Sequence, residues 1–256
     1  MNKKILFSYI VFGVILVGLG AIVFWNVQQA PKASQTKNTT VVRSPAEGTQ
    51  ASFDQPKKSA HYESNTPQHG AVLAGVPINV VIDFNFDLSE GSRISIINSG
   101  KEYGTTDTSI DENMLTMRRS VDLNSPEGLY TVIYNACWPD GSCHDGNFQF
   151  VVDRTKADTL TDMRGQREIF VSLADITLKP QNVRILKGTK VTWRNDDTVV
   201  HYVNTDSHPA HTYFLTQNSK ALQKGDAYSV QFDTPGIYTY HCSAHANSMV
   251  GTILVE

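Results

Sequence analysis

Hydrophobic residues are distributed in two different ways along the 256 residues of the chain. From Ile5 to Trp25 they form one run without a charged side chain. A helix over this run rises about 1.5 Å per residue, so it could cross a hydrocarbon core of about 30 Å. Lys3 and Lys4 precede the run, which favours a cytoplasmic N-terminus and export of the chain beyond Trp25. We predict a transmembrane anchor over residues 1–25, left uncleaved because the sequence after it is a poor cleavage site.

After the anchor the pattern of polar and apolar residues changes twice. Residues 26–60 are rich in Gln, Lys, Ser, Thr, Ala and Pro without periodicity, which predicts a flexible linker. From residue 61 onward, short apolar or alternating runs are separated by turn residues, and no amphipathic helix stands out. The pattern predicts an all-β fold with two β-sandwiches in series, over residues 61–153 and 169–256. The charged and polar residues 154–168 are predicted to be the interdomain linker.

The chain contains three cysteines, an odd number that needs an explanation in an exported protein. Cys137 and Cys143 bracket a turn-like segment and could close a small disulfide loop. Such a bridge contributes on the order of 2 kcal/mol to stability. That pairing leaves Cys242 alone, and a bound metal ion would both occupy its sulfur and protect it.

Cys242 begins a short loop with the spacing Cys-x2-His-x3-Met, which also contains His245 and Met249. Copper that cycles between Cu(I) and Cu(II) prefers a thiolate and imidazoles in a near-trigonal site, with a weak axial thioether. The second imidazole must come from elsewhere, and His201 offers it just after a predicted strand. Each of these residues alone is usually a packed or solvated side chain. Their combination in this order predicts a copper site.

Residues 169–256, with this loop and the stretch 186–195, resemble the plastocyanin-like cupredoxins. The resemblance implies a Greek-key sandwich with one type 1 (blue) copper ion. It also implies the ligands of that ion: His201, Cys242 and His245, with Met249 as the axial ligand. Many members of the family have one more or one fewer residue between the loop histidine and the methionine.

Residues 61–153 resemble the CopC-type copper-resistance domain, an immunoglobulin-like β-sandwich. The resemblance rests on two stretches, residues 61–73 and residues 140–150. In that family an N-terminal histidine and an Asp-x-His pair bind Cu(II), which points here to His61, Asp140 and His144. Three residues separate Asp140 from His144, however, and an uncleaved anchor leaves His61 without a free amine. One alternative is a Cu(I) site made by the cysteine pair and His144; a structural disulfide beside a solvated histidine is the interpretation we favour.

Three further histidines lie near the predicted copper ligands. His208 and His211 form a His-x2-His pair that we expect to be solvated, with a second metal site or a transfer relay as the alternative. His241 directly precedes Cys242. In multicopper oxidases, histidines on both sides of that cysteine reach a trinuclear cluster. Position 243 is Ser here, and no second cupredoxin domain is present to supply partner histidines, so the oxidase interpretation is weak.

The formal net charge is −3 and no long basic stretch occurs, so we expect no nucleic-acid partner. No acid–base or nucleophile constellation is apparent, so we do not predict an enzyme. The sequence predicts a membrane-anchored, extracytoplasmic (periplasmic or extracellular) copper protein that transfers one electron to or from an unidentified protein partner. Three alternatives stay open: copper binding, buffering or delivery with a copper-donor protein, a copper-dependent oxidoreductase, and an adhesion-like module with a vestigial site.

Overall fold

The computed structural model describes residues 52–256 of the chain. The predicted anchor over residues 1–25 and most of the predicted linker lie outside the described residues. Among the residues that are described, no helix has the length and apolar character needed to span a membrane.

The N-terminal region is built from β-strands. These are β1 (Tyr62–Thr66), β2 (Val72–Leu73), β3 (Asn79–Phe84), β4 (Arg93–Asn98), β5 (Lys101–Glu102), β6 (Ser109–Ile110), β7 (Thr116–Ser120), β8 (Gly128–Cys137) and β9 (Cys143–Val152). In the described chain they form one sheet in the order β1-β3-β7-β6 and another in the order β2-β9-β8-β4-β5. Side chains of both sheets contribute to one hydrophobic cluster, which includes Ile82, Ile96 and Phe150.

The longest hairpin of this region joins β8 to β9. The two strands pair in register over their whole length, and the last pair is Cys137 with Cys143. The two cysteines form a disulfide. The predicted disulfide is confirmed.

The C-terminal region has its own strands and its own hydrophobic cluster. The strands are β10 (Thr161–Asp162), β11 (Glu168–Ala174), β12 (Thr177–Lys179), β13 (Asn182–Ile185), β14 (Thr189–Asn195), β15 (Asn204–Thr205), β16 (Ala227–Phe232), β17 (Gly236–His241) and β18 (Val250–Val255). In the described residues they form sheets in the orders β10-β13-β18-β17-β15 and β12-β11-β14-β16. The ring of Trp193 packs among Tyr228, Phe232 and Tyr240 in this cluster. Two short 3-10 helices, Arg154–Thr159 and Ser243–His245, complete the regular structure described, so the all-β prediction is confirmed.

In two places the folded regions include residues whose polar sequence predicts a linker. Residues 154–162 form the first 3-10 helix and β10, which pairs in parallel with β13. Within 52–60, Lys57 exchanges two backbone hydrogen bonds with Asn147, and the amide of Asp54 donates to the side chain of Gln149. Backbone and polar contacts hold residues 52–60, whereas Ala157 and Leu160 of the second segment pack against the N-terminal hydrophobic cluster. Such scattered contacts leave no hydrophobic period in the sequence.

The described residues belong to one compact unit. The two regions touch where Ile237 packs in the N-terminal hydrophobic cluster and its amide donates to the carbonyl of Val76, and also at a buried carboxylate. Asp83 on β3 accepts hydrogen bonds from Ser64 and Thr116 of its own region. It also accepts hydrogen bonds from Ser207 and Thr212, which lie between β15 and β16 in the C-terminal region. A buried charge is stabilised when several donors satisfy it. This carboxylate therefore holds the segment 206–213 against the N-terminal region.

Candidate metal centre

Three of the predicted copper ligands converge in the C-terminal region. The sulfur of Cys242 lies 3.6 Å from Nδ1 of His201 and 3.5 Å from Nδ1 of His245. With typical metal–sulfur and metal–nitrogen distances of about 2.3 and 2.0 Å, ligand angles of about 110–120° separate sulfur from nitrogen by about 3.5–3.7 Å. Both sulfur–nitrogen distances therefore match those expected around a single metal ion, and the three ligand atoms all lie within 4.8 Å of one another.

His201 is held in place by its backbone and by a carboxylate. Its amide and carbonyl exchange hydrogen bonds with those of Leu222, at 3.1 and 2.9 Å. The buried side-chain amide of Asn195 donates to the carbonyls of Val199 and Leu222, which fixes the turn leading to His201. The second ring nitrogen, Nε2, lies 2.8 Å from Oδ2 of Asp197. Such a partner orients an imidazole and leaves its other nitrogen free for a metal.

The partner carboxylate is itself strongly held. The backbone amide of Ile176, then His201, then the amide of Asp175 lower the pKa of Asp197 to about 2. A hydrogen bond to the ionised form favours that form, so Asp197 is a carboxylate throughout the neutral range. It therefore presents a fixed negative charge to the ring of His201.

Cys242 is completely buried at the end of β17, and the chain turns tightly after it. Its sulfur accepts a hydrogen bond from the backbone amide of Tyr202 at 3.3 Å. The amide of His245 donates to the carbonyl of Cys242, and the amide of Cys242 donates to the carbonyl of Met249, which closes the loop. Hydrogen bonds to a coordinating sulfur and an apolar surround tune the electronic properties of the metal.

Met249 lies at the end of this loop, and its amide donates to the carbonyl of His245 at 2.9 Å. Its side chain is 1% exposed and belongs to the hydrophobic cluster of the C-terminal region, as does Cys242. These contacts tie its backbone to two of the converging residues. Its role as axial ligand stays a prediction.

Comparisons with known proteins agree with this donor set. Residues 167–256 match the family model described as copper binding proteins of the plastocyanin/azurin family. Amicyanin-alpha of Methylorubrum extorquens is 34% identical over 86 residues, which cover 34% of this chain and 70% of that protein. Plastocyanin of Scenedesmus fuscus is 34% identical over 86 residues, which cover 32% of this chain and 88% of that protein.

The chain belongs to the plastocyanin/azurin family. Copper is the metal of this family by its description, and the His201–Cys242–His245 set of one thiolate and two imidazoles fits a type 1 copper ion.

Residues 62–153 match a CopC domain, so both resemblances seen in the sequence are confirmed. Among solved structures, the purple cupredoxin of Nitrosopumilus maritimus is 29% identical and covers 34% of this chain and 98% of that one, with a TM-score of 0.30.

In the CopC region the three residues suggested by the resemblance do not converge. Nδ1 of His61 lies 3.1 Å from the side chain of Asn85, and the rings of His61 and His144 each lie 5.3 Å from that of Trp138. Asp140 accepts hydrogen bonds from Ser142, which hold its pKa below the usual value. Within residues 52–256, both groups of three clustered ligand residues lie in the cupredoxin region. The thiols needed for the alternative Cu(I) site are joined in the disulfide.

The second of these groups consists of His208, His211 and His241, whose ligand nitrogens all lie within 4.8 Å of one another. Burial, followed by the neighbouring His241 and His208, lowers the pKa of His211 to about 4. The sequence predicts that His208 and His211 are solvated; this holds for His208, which is exposed, but His211 is half-buried beside His241. One feature could have pointed to the group: His241 and Cys242 are adjacent in an extended segment, where neighbouring side chains point to opposite faces.

Proposed function

We propose that the cupredoxin region transfers single electrons through one copper ion bound by His201, Cys242 and His245, with Met249 as axial ligand. The observation that supports this function is the spacing of 3.5–3.6 Å between the thiol and both imidazoles. Because the backbone already holds these groups at coordination distance, a copper ion would need little rearrangement when it changes between Cu(I) and Cu(II). Little rearrangement is what a one-electron carrier requires.

The two imidazoles differ in their access to solvent, which suggests a route for the electron. His201 is fully buried behind Asp197, whereas His245 is only half-buried on the surface loop. We propose that electrons enter and leave through the edge of His245. A protein partner would then dock over this part of the loop.

We also propose that residues 1–25 anchor the chain in a membrane with both domains on the extracytoplasmic side. The apolar run Ile5–Trp25 after Lys3 and Lys4 supports the orientation. The disulfide between Cys137 and Cys143 supports an oxidising compartment, because disulfides persist mainly outside the cytosol. Expression of the full chain with a tag at its C-terminus, followed by protease treatment of spheroplasts from which any outer membrane has been removed, tests this location. Protection of the tag would contradict it.

The absorption spectrum of the copper-loaded full chain tests the site. A thiolate bound to Cu(II) in this geometry gives an intense blue charge-transfer band, which is the mark of blue-copper sites. The Met249→Leu variant is expected to keep the band but shift it and the reduction potential, because the axial ligand tunes both. A colourless copper complex of the wild type would contradict the proposal.

Copper handling is the second candidate function, and the CopC domain match over residues 62–153 favours it. A copper store or donor need not exchange electrons quickly, whereas a carrier must. The electron self-exchange rate of the copper-loaded full chain separates the two functions. Slow exchange together with ready release of copper to a chelator would favour copper handling over electron transfer.

A further inference from the structure

The rings of His208, His211 and His241 form a nearly regular triangle. Their centroids are separated by 5.4, 5.2 and 5.1 Å. Nδ1 of His208 and Nε2 of His241 lie 3.2 Å apart. Two imidazole nitrogens bound at about 2.0 Å to one tetrahedral ion would lie about 3.3 Å apart. The spacing of this pair is therefore that of two ligands of a shared ion.

His241 is arranged as a metal ligand would be. Its side chain is 2% exposed, and Nδ1 lies 3.0 Å from a carboxylate oxygen of Asp206. This contact directs the opposite nitrogen, Nε2, toward His208. A carboxylate behind an imidazole is a common support for a ligand histidine. Asp197 supports His201 in the same way at the blue-copper site.

The segment that carries His208 and His211 is fixed from several sides. Ser207 and Thr212 donate to the buried Asp83 of the CopC region. The amide of His211 donates to the carbonyl of Ser207, and His211 has a φ of 54°. This left-handed conformation is unfavourable for a residue other than glycine and persists only where the surroundings impose it. The fold thus holds the ring of His211 beside the other two.

We propose that His208, His211 and His241 form a second metal site, which binds Cu²⁺ through three imidazoles. Imidazole donors suit copper and zinc, and Cu²⁺ binds most tightly among the divalent first-row ions. A cleft of about 890 Å³ between the CopC and cupredoxin regions is lined by His208 and His241. It gives an ion a path to the site. The choice of copper over zinc rests on the proposed function, whereas the assignment of a metal site rests on the ligand geometry alone.

This site and the blue-copper site are joined by a single peptide bond, because His241 and Cys242 are adjacent. The hydroxyl of Ser243 lies 3.0 Å from Nε2 of His211, so the copper loop contacts the second site directly. The second site has no thiolate, and its Cu²⁺ is therefore expected to lack the blue band. The two copper ions can be counted separately for this reason.

The full chain, loaded with Cu²⁺ and passed over a desalting column, provides the test. The wild type is expected to show the blue band and, in its EPR spectrum, a second Cu²⁺ signal from nitrogen ligands. In the variant with His208→Gln and His211→Asn, that signal disappears, the copper content falls by one ion per chain, and the blue band is unchanged. Asn is chosen at position 211 because it tolerates the left-handed conformation.

The control is His144→Gln, which removes an exposed histidine of the CopC region. It is expected to leave the second signal unchanged. The proposal is overturned if the wild type lacks a second Cu²⁺ signal, or if the signal survives in the double variant. Loss of the blue band with retention of the second signal would instead contradict the proposed electron-transfer site. Thermal unfolding of each variant checks that it is folded.

Discussion

The two histidine clusters of the cupredoxin region are one residue apart in the chain, yet they are held by different parts of the molecule. The first cluster contains a sulfur, and its supports Asp197, Asn195 and Leu222 all come from its own region. The second cluster contains imidazoles alone, and the segment carrying two of them is tied to Asp83 of the CopC region. A site supported by one domain can survive changes in the other. A site supported by both domains depends on their contact.

The largest effect is expected from Cys242→Ser. Serine removes the only sulfur of the His201–Cys242–His245 set, so the blue band should be lost completely. The second cluster uses none of these three side chains, and its Cu²⁺ signal should remain. Absorption and EPR spectra of the same copper-loaded sample measure both. Loss of both signals in a folded variant would mean that the two clusters are one site.

A matched pair of carboxylate variants compares the supports of the two clusters. Asp206→Asn should lower Cu²⁺ affinity at the second cluster by about 10–100-fold, because His241 loses the charged partner that orients it. Asp197→Asn should weaken the blue-copper site by a similar factor through His201. Each variant serves as the control for the other in competition titrations with a copper chelator. If one variant lowered the Cu²⁺ affinity of both clusters equally, the two clusters would not have separate supports.

Removal of the Asp83 contact between the regions should act on one cluster only. Asp83→Ala leaves the hydroxyls of Ser64, Thr116, Ser207 and Thr212 without their buried acceptor. We expect a loss of about 3 kcal/mol in the free energy of unfolding, since hydrogen bonds to charged groups contribute about 1.5–3 kcal/mol each and water replaces part of them.

In the same variant, Cu²⁺ affinity at the second cluster should fall about tenfold, as expected for an indirect support, while the blue band stays unchanged. Denaturant unfolding and the copper titration measure the two quantities. Asp87→Ala, at an exposed position of the same region, is the control and should change neither. A changed blue band in Asp83→Ala would show that the first cluster also depends on the contact between regions.

The same contrast explains which parts of the molecule are predictable from sequence. The spacing Cys-x2-His places Cys242 and His245 on one tight turn, so their proximity results from a few adjacent residues. His201 is farther along the chain, but it lies in the strand-rich pattern typical of the family. The family resemblance therefore led to all three residues that meet at the first cluster.

The second cluster could not be predicted in this way. His208 and His211 meet His241 because Ser207 and Thr212 contact Asp83, more than 120 residues earlier in the chain. Hydroxyl-to-carboxylate contacts have no periodic pattern, and polar residues between strands usually indicate a solvated loop. The same reason applies to residues 52–60, which pack on β9 although their composition predicts a linker.

The smallest effect on either cluster is expected from removal of the disulfide. Cys137 and Cys143 close a short loop at the end of the β8–β9 hairpin, and neither cysteine is part of the two histidine clusters. In the double variant Cys137→Ala and Cys143→Ala, the free energy of unfolding should fall by about 2 kcal/mol, the amount expected for a small loop. Asp83 lies on β3, outside this hairpin, and contacts the segment that carries His208 and His211. Both copper signals should therefore keep their wild-type spectra and affinities. Copper titration and denaturant unfolding of the full chain measure the affinities and the free energy of unfolding. Weaker binding of Cu²⁺ at the second cluster would mean that parts of the CopC region remote from Asp83 also determine the geometry of the imidazoles.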